Sequence, residues 1–380
     1  MAPQELTTRD RPGTAERSEH VETVIIGGGQ AGLATAYHLA RARRDYLILD
    51  AGDRIGDSWR RRWPSLRLYS PARYDGLPGM RYPAGRNTFP TGHEFADYLE
   101  AYARRFQLRV RSGVKVKRLS HNGERYVIET DGGRIEAENV VVATGVMQRP
   151  VIPPFAAELD AEIRQLHSND YRGPAQLREG PVLVVGAAHS GADIALELAP
   201  KHETILAGRH TGQIPFRLEG RAMLLLFPVL RFVATRVLTA STPIGRKIEP
   251  ELRGHGGPLL RVRQSDLEQA GVERVLSRVV GVRGGRPLLD GGRTVEVANV
   301  VWCTGFRTDF GWIDLPIFGE DGYPVQRRGV VAASPGLYFV GLVFLHSFSS
   351  MLILGAGRDG GYVARHLVKH RSGRRVRSAG

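Results

Sequence analysis

Two glycine-rich turns, each lying between a short β-branched run and a helix-forming segment, constrain the fold of this 380-residue chain most strongly. The first is Gly27-Gly-Gly-Gln-Ala-Gly32 and the second is Gly186-Ala-Ala-His-Ser-Gly191. A shift of 159 positions superposes the first unit on the second, so the chain carries a duplicated unit and not a short-period repeat. Strand, glycine turn, helix and strand within about thirty residues form the dinucleotide-binding βαβ unit of an open parallel sheet.

The first turn has the GxGxxG spacing. In this pattern Gly27 permits the tight turn, Gly29 lets a pyrophosphate approach the backbone, and Gly32 lets the helix pack closely on the strand. The helix N-terminus adds unpaired N–H groups and a positive dipole end, so we expect Gln30 and Ala31 to contribute to the same site.

The second strand of the first unit ends in Asp50, followed by Ala51. A carboxylate at this place in the unit accepts a hydrogen bond from the ribose 2′-hydroxyl of an adenosine. The turn and the acid together therefore predict a site for the ADP half of a dinucleotide.

The second turn differs from the first at its middle position and at the end of the next strand. Ala188 replaces the middle glycine, and His189 and Ser190 follow it. The predicted strand after the helix, Thr204–Ala207, is followed by Gly208 and Arg209 instead of an acid. An arginine there suits a 2′-phosphate, which favours NADPH over NADH. A merely solvated Arg209 stays open as an alternative, and Asp193 is expected only to complement the helix N-terminus.

Two dinucleotide sites in one chain imply electron transfer between two cofactors, with NADPH delivering hydride and FAD accepting it. Cys303 is the only cysteine, which excludes a disulfide framework, a cysteine-based zinc site and a dithiol redox centre. The twelve histidines show no spacing typical of a metal site, so we expect no metal. Oxygen or a diffusible acceptor remains as the destination of the electrons.

The predicted fold class is α/β, with two Rossmann-like dinucleotide-binding domains and a β-meander in each. In the first domain the meander runs through Val114–Leu119, Tyr126–Thr130 and Arg134–Glu136, and a separate strand at Asn139–Ala143 closes it. The predicted segments are a disordered N-terminus over 1–20, an FAD domain over 21–150 and 305–368, an inserted NADPH domain over 151–304 and a basic tail over 369–380.

The net charge of +14 is compatible with a nucleic-acid partner. However, the basic residues are scattered, and their one cluster, Lys369 to Arg377, has no interleaved aromatic residues. We expect no nucleic-acid partner, and a solvated tail is favoured over a weak polyanion or membrane-surface contact.

Residues 1–19 lack the apolar segment of a secretory signal, and no transmembrane segment is expected, which predicts a cytoplasmic protein. The oligomeric state is left open, a homodimer included.

The most apolar stretch, Ala222 to Leu238, is interrupted by Pro228, Arg231 and Arg236. It is compatible with an amphipathic helix that borders the substrate entrance or lies on a membrane surface. Burial between the two domains is the favoured account.

Six motifs occur in a fixed order along the chain. They are Val24-Ile-Ile-Gly-Gly-Gly-Gln-Ala-Gly32, Gly56-Asp-Ser-Trp59, Leu66-Arg-Leu-Tyr-Ser-Pro71, Ala143-Thr-Gly145, Gly186-Ala-Ala-His-Ser-Gly-Ala-Asp193 and Cys303-Thr-Gly-Phe306. Together they resemble the class B flavin-containing monooxygenases, especially the bacterial enzymes and the plant YUCCA-type enzymes. The resemblance covers about residues 21 to 365 and is specific for the superfamily, not for a substrate.

The resemblance implies roles for residues that spacing alone does not assign. Gly56, Ser58 and Trp59 would lie along the flavin, although Asp57 replaces a second glycine of that motif, and the Val114 backbone would lie near the adenine. The implied crossings between the domains are Ala143, Thr144, Gly145, Thr304 and Gly305.

The family's linker fingerprint, FxGxxxHxxx(F/Y), corresponds to residues 161–171. His167 and Tyr171 fit it, whereas Ala161 and Ile163 replace its Phe and Gly. In the family this linker helps to coordinate movements of the NADP and FAD domains, so the departure weakens the monooxygenase assignment more than the fold. A structural hydrogen bond of a loop histidine is an equally weighted account of His167.

The resemblance implies an FAD-dependent, NADPH-consuming monooxygenase that inserts one oxygen of O₂ into a small organic substrate through a flavin C4a-(hydro)peroxide. An NADPH oxidase or reductase without oxygen insertion is the alternative enzyme. A flavoprotein that senses redox state for a partner is the alternative outside catalysis.

Overall fold

The structure, a computed structural model, describes residues 19–254 and 257–377, and for 250–254 and 370–377 it describes the backbone alone. The strands of the first sheet run in the order β3-β2-β1-β6-β5-β4, with β16 beside β6. The elements around it are β1 (Glu19–Ile26), α1 (Gln30–Arg41), β2 (Leu47–Leu49), α2 (Asp57–Arg60), α3 (Gly92–Arg105), β3 (Val110–Arg111), β4 (Val116–His121), β5 (Tyr126–Thr130), β6 (Gly133–Val142), β16 (Leu337–Phe339) and α8 (Ile353–Arg377).

The strand β6 changes partners half-way along its length. On one edge, its first half pairs antiparallel with β5 and its last three residues pair parallel with β16, whereas its other edge pairs parallel with β1 from residue 135 to 142. The separate strands predicted at 134–136 and 139–143 are therefore wrong, because one continuous ten-residue strand carries both the meander and the parallel sheet.

The second sheet is wholly parallel, in the order β11-β10-β9-β14-β8. Its segment of the chain contains β7 (Arg149–Pro150), β8 (Arg164–His167), β9 (Val182–Val185), α4 (His189–Leu198), β10 (Thr204–Ala207), α5 (Arg221–Phe232), a π-helical turn (Val233–Val237), α6 (Pro243–Gly254), α7 (Gln264–Gln269), β11 (Glu273–Val275), β12 (Val279–Arg283), β13 (Arg286–Leu289), β14 (Asn299–Trp302) and β15 (Phe306–Arg307). Single 3₁₀ turns lie at Ala72–Tyr74, Pro154–Glu158, Pro174–Gln176 and Phe348–Met351.

The meander predicted for the second unit is shorter than expected. Strands β12 and β13 form a two-stranded hairpin, and the chain then turns at Gly291 and Gly292. Beyond that turn it makes one isolated bridge, Leu288 to Thr294, before it enters β14. The positive φ angles of the two glycines form the tight reversal, and beyond it the Val295 amide still donates to the Pro287 carbonyl at 3.0 Å, so the third segment pairs with β13 only over residues 293–295.

Each sheet has a separate apolar core on each face. One face of the first sheet packs against α1, α3 and α8, and the other packs against the chain around 310–345. The second sheet has its own pair of cores, one of them including α4 and α7. The strands between such layers are buried on both sides, which explains why β9 is apolar throughout and why β1 and β14 end in the apolar runs 24–26 and 300–302 without alternation.

Both predicted terminal segments differ in the structure. Residues 1–18 of the predicted disordered N-terminus lie outside the described residues, but Glu19 and His20 pair with Ile135 and Glu136 in the first sheet. The predicted frayed tail from Lys369 is instead the end of α8, because 353–377 contain no proline to interrupt the helix. Residues 378–380 lie outside the described part.

The predicted burial of the apolar stretch between the domains is wrong. Helix α5 has only Met223 and Phe227 buried, whereas Leu225 is 81% exposed and Phe232 is 59% exposed. The helix contacts the rest of the protein through one face only, so its other face meets solvent.

Candidate functional site

The first glycine turn joins β1 to α1 in a conformation that requires glycine. Gly27 has φ +114°, and a Cβ on Gly32 would lie 1.9 Å from the Gly27 carbonyl oxygen. A Cβ on Gly29, by contrast, would meet no protein atom within 4 Å, and Gly29 caps α1 without a side-chain hydrogen bond. Open space in front of unpaired helix amides fits a pyrophosphate.

Asp50 lies beside this turn, as predicted from its position after β2. Its carboxylate accepts hydrogen bonds from the Gly28 amide (2.5 Å) and the Gly52 amide (2.8 Å). The Val114 amide donates to the Asp50 carbonyl at 2.9 Å, and Ala51 is exposed next to them. The loop after β3 is therefore joined to the acid that could hold a ribose.

The Gly56–Trp59 segment closes the same end of the first sheet. Gly56 has φ +92°, and a Cβ there would lie 2.7 Å from the Ala96 carbonyl oxygen. The Trp59 indole N–H donates to the Gln30 side chain at 3.3 Å, which joins this segment to the first turn of α1, while Ser58 is exposed. The structure therefore brings Gln30 and Trp59 together, and Ala31 is buried in the helix packing.

The second turn repeats the backbone of the first. Gly186 has φ +104°, and a Cβ on Gly191 would lie 1.7 Å from the Gly186 carbonyl oxygen. Ala188 caps α4 without a side-chain hydrogen bond. Arg209 is exposed two residues beyond the end of β10, where it is free to meet a phosphate.

Asp193 does more than complement the helix N-terminus. Its carboxylate is 3% exposed, forms an ion pair with Arg261 (3.0 Å) and accepts from the Tyr69 hydroxyl (3.2 Å). The Tyr69 ring lies 4.9 Å from the His189 ring, whose Nε2 contacts the Pro258 carbonyl at 2.7 Å. Burial raises the pKa of Asp193, and Arg261 opposes that rise.

Sequence reasoning missed this network, because its members are far apart in the chain and belong to different elements. Tyr69 lies between α2 and α3, whereas Arg261 precedes α7. No spacing rule brings them to the start of α4. The one available signal was the presence of Tyr69 in a family motif.

The two crossings lie side by side. Strands β7 and β15 pair antiparallel, and the Gln148 side chain donates to the Thr144 hydroxyl (3.0 Å) and the Gly145 carbonyl (2.7 Å). The Thr304 hydroxyl donates to the Val151 carbonyl. Ala143 is buried at the end of β6, where its amide donates to the Ile26 carbonyl at 2.8 Å. These contacts fix the geometry of the two strands that connect the sheets.

His167 holds one of the crossings. Its Nδ1 accepts from the Asn169 amide at 3.0 Å, which leaves Nε2 to donate to the Gly305 carbonyl at 3.1 Å. Burial lowers the pKa of His167. The structure therefore gives the histidine of the eroded fingerprint a structural hydrogen bond at the domain crossing, and the buried Tyr171 donates to Glu197 at 3.1 Å.

Asp75 is a second buried acid that the sequence did not single out. It is fully buried, the Ser70 hydroxyl donates to one oxygen, and the other oxygen has no hydrogen-bond partner in the described residues. Burial raises the pKa of Asp75 to about 7. An acid with this pKa changes its charge near neutral pH.

Cys303 is buried against the second turn, and burial raises the pKa of its thiol. A Cβ on Gly186 would lie 2.4 Å from the Cys303 carbonyl oxygen, so the residue is part of the packing of this turn. A protonated, buried thiol is a poor nucleophile. In residues 19–254 and 257–377, no group of three or more His, Cys, Asp or Glu side chains could hold a metal ion.

Residues 24–215 match the family described as pyridine nucleotide-disulphide oxidoreductase. The chain is 36% identical to an uncharacterised CzcO-like oxidoreductase of Geobacillus kaustophilus, over 92% of this chain and 99% of that one. It is 29% identical to a probable indole-3-pyruvate monooxygenase, YUCCA7, of Arabidopsis thaliana, over 91% and 87% of the two chains. A flavin-containing monooxygenase from Stenotrophomonas maltophilia superposes with a TM-score of 0.74, at 27% identity, over 93% of this chain and 99% of that one.

The chain belongs to the pyridine nucleotide-disulphide oxidoreductase family, and its predicted resemblance to the class B flavin monooxygenases is confirmed. It is an enzyme, and its cofactors are FAD and NADPH. The predicted α/β fold with two dinucleotide-binding units is confirmed. None of the helices among the described residues is long and apolar enough to cross a membrane.

Proposed function

We propose that this protein oxidises NADPH and inserts one oxygen atom of O₂ into a small organic substrate. The observation that supports the proposal is the state of Cys303, the only cysteine: a buried thiol with a raised pKa offers no protein dithiol to receive the electrons. Electrons from NADPH then go to a diffusible acceptor, and the relatives named as monooxygenases favour oxygen.

The residues present fit the two cofactors. Gly27, Gly29, Gly32 and Asp50 would hold the ADP half of FAD, since the open space at Gly29 admits a pyrophosphate and Asp50 keeps lone pairs for a ribose hydroxyl. The set that would hold NADPH consists of Gly186, Ala188, His189, Ser190, Gly191 and Arg209. Bound FAD supplies hydride acceptance and reaction with oxygen.

We also propose the division into an FAD domain over 21–150 and 305–368 and an NADPH domain over 151–304. Membership of the two sheets supports it, and so does the antiparallel pairing of β7 with β15 at the boundaries. His167 would then act on the crossing rather than on a substrate, because its ring binds the Gly305 carbonyl.

The test is to follow NADPH oxidation, oxygen uptake and hydrogen peroxide release by the purified, flavin-loaded protein with a panel of amines, sulfides, ketones and 2-oxo acids. A monooxygenase consumes one NADPH and one O₂ per oxygenated product, and peroxide falls when the right substrate is added. Peroxide release equal to NADPH consumption with every substrate would contradict oxygen insertion.

That contrary outcome is the oxidase alternative, and one observation favours it. Ile163 packs among apolar residues before β8 where the fingerprint has a glycine, and Ala161 is too small to replace a phenylalanine. A linker that positions NADP less tightly would release peroxide without product.

A further inference from the structure

Helix α5 carries apolar side chains on opposite sides although it lies at the surface. On one side Met223 and Phe227 are buried against the protein. On the opposite side Leu225, Val229 and Phe232 follow one another at helical spacing and are exposed. A surface helix ordinarily carries polar residues on its outer face, so this outer face is built for contact with something apolar.

Exposed large apolar side chains are concentrated around this helix. Among the described residues there are eleven of them, and six lie between 216 and 244. The six are Phe216, Leu225, Val229, Leu230, Phe232 and Ile244. We call this set the α5 face. Scattered exposed apolar residues need no explanation, but four of these six lie within α5 itself, and such a concentration marks an interaction surface.

The charge of the same segment decides what the α5 face meets. Residues 221–248 contain no Asp or Glu and five basic residues, all of them exposed: Arg221, Arg231, Arg236, Arg246 and Lys247. A second copy of the chain would bring these like charges together, and a nucleic acid would leave the apolar side chains in water. An anionic lipid surface accommodates both the basic and the apolar side chains, since it offers phosphates beside an apolar interior.

The helix is attached firmly enough to transmit such a contact to the protein. Phe227 stacks on Tyr74 with ring centroids 5.0 Å apart, and the Arg73 guanidinium donates to the Leu224 carbonyl at 2.9 Å. Arg231 lies over the Tyr74 ring at 5.5 Å from its centroid. Docking through α5 would therefore place the Pro71–Asp75 loop next to the lipid surface.

We propose that the α5 face docks on the surface of an anionic lipid bilayer, with its apolar side chains at the acyl boundary and its arginines on lipid phosphates. The protein lies on the bilayer and does not span it. Burial of even two large apolar side chains and contact of several basic residues shift partitioning by more than about tenfold.

The test is co-sedimentation of the full flavin-loaded chain with vesicles of equal parts phosphatidylcholine and phosphatidylglycerol, and with vesicles of phosphatidylcholine alone. The double variant Leu225→Glu, Phe232→Glu is compared with Leu276→Glu, Val325→Glu, which changes two side chains of similar exposure elsewhere. Bound flavin and thermal unfolding of each variant establish that it is folded. We expect binding to the anionic vesicles alone, a loss of more than about tenfold in the α5 variant, and wild-type binding in the control.

Three outcomes would overturn the proposal. The first is no sedimentation of the wild-type chain with the anionic vesicles, and the second is equal binding by the α5 variant. The third is a concentration-dependent dimer in size-exclusion chromatography that the α5 substitutions dissociate, which would make the α5 face an interface between copies. NADPH oxidation without vesicles is expected to be unchanged, so this test fails or succeeds independently of the proposed reaction.

Discussion

The two glycine turns share one backbone and differ in the side chains around it. Gly27 and Gly186 have φ angles of +114° and +104°, and each donates its amide to the end of the next strand, to Leu49 and Ala207, at 2.8 Å. The middle position is open at Gly29 and occupied by a methyl group at Ala188. Duplication therefore preserved the part that the fold requires, while the residues that face a ligand diverged.

The neighbours of the two turns diverged as well. Gln30 and His189 occupy equivalent positions, yet Gln30 binds Trp59 within its own unit, whereas His189 packs on Tyr69 of the other unit. The second turn is thus part of the contact between the two units. We infer that changes at the second turn affect both nucleotide binding and the orientation of the two sheets.

The largest expected effect comes from Gly32→Ala and Gly191→Ala. Each added Cβ would lie within 2 Å of a backbone oxygen, so the turn must open. We expect Gly32→Ala to be purified without flavin, and Gly191→Ala to keep flavin that NADPH no longer reduces. In both variants the rate of NADPH oxidation should fall by more than about a hundredfold. Flavin absorbance and anaerobic reduction measure this. Gly281→Ala, where the Cβ has no neighbour within 4 Å, is the control.

The next effect concerns the strand ends. Removal of the Arg209 guanidinium deletes a charged hydrogen bond to a 2′-phosphate, so Arg209→Ala should raise the KM for NADPH by about 10- to 100-fold. The KM for NADH should not change. Steady-state kinetics with NADPH and with NADH measure the two KM values. Lys201→Ala, at another exposed cation, is the control. Equal effects on both nucleotides would mean that Arg209 does not read the phosphate.

A smaller effect is expected from the middle positions. Gly29→Ala should fold normally, because nothing in the protein lies within 4 Å of the new Cβ, but should bind FAD about tenfold more weakly. The reverse change, Ala188→Gly, should leave NADPH binding nearly unchanged. Thermal unfolding of the apoprotein and FAD titration separate folding from binding. An unaltered FAD affinity would show that the pyrophosphate lies elsewhere.

The smallest effect is a pH dependence at His189. Burial lowers its folded-state pKa below 6.5, so the unfolded chain takes up the proton first as the pH falls. The stability that neutral His189 contributes is complete above pH 6.5 and decreases below it. His189→Gln introduces the residue that the first turn has at this position. It should reduce the loss of unfolding free energy between neutral and mildly acidic pH, by less than about 1 kcal/mol. Denaturation at several pH values measures it, with exposed His121→Gln as the control; parallel curves would contradict the prediction.

Much of the fold could be predicted because it depends on local patterns. The strand at 21–26, the helix after it and the strand up to 49 follow from β-branched runs and glycine spacing, and the structure differs by a few residues at their ends. The single strand β6 could not be predicted, because its continuity depends on partners before and after it in the chain. The exposure of α5 could not be predicted either, since an apolar sequence does not say which of its faces finds a partner.

The sequence by itself determined the two turns, their glycines and the chemical contrast between Asp50 and Arg209, because φ angles and close approach restrict residue type at single positions. It also excluded dithiol chemistry through the count of one cysteine. The tertiary structure alone decided that Tyr69 and Arg261 meet Asp193, that His167 holds Gly305, and that Asp75 is buried with a pKa near 7. Those properties arise from burial and from contacts between distant segments, which no local spacing encodes.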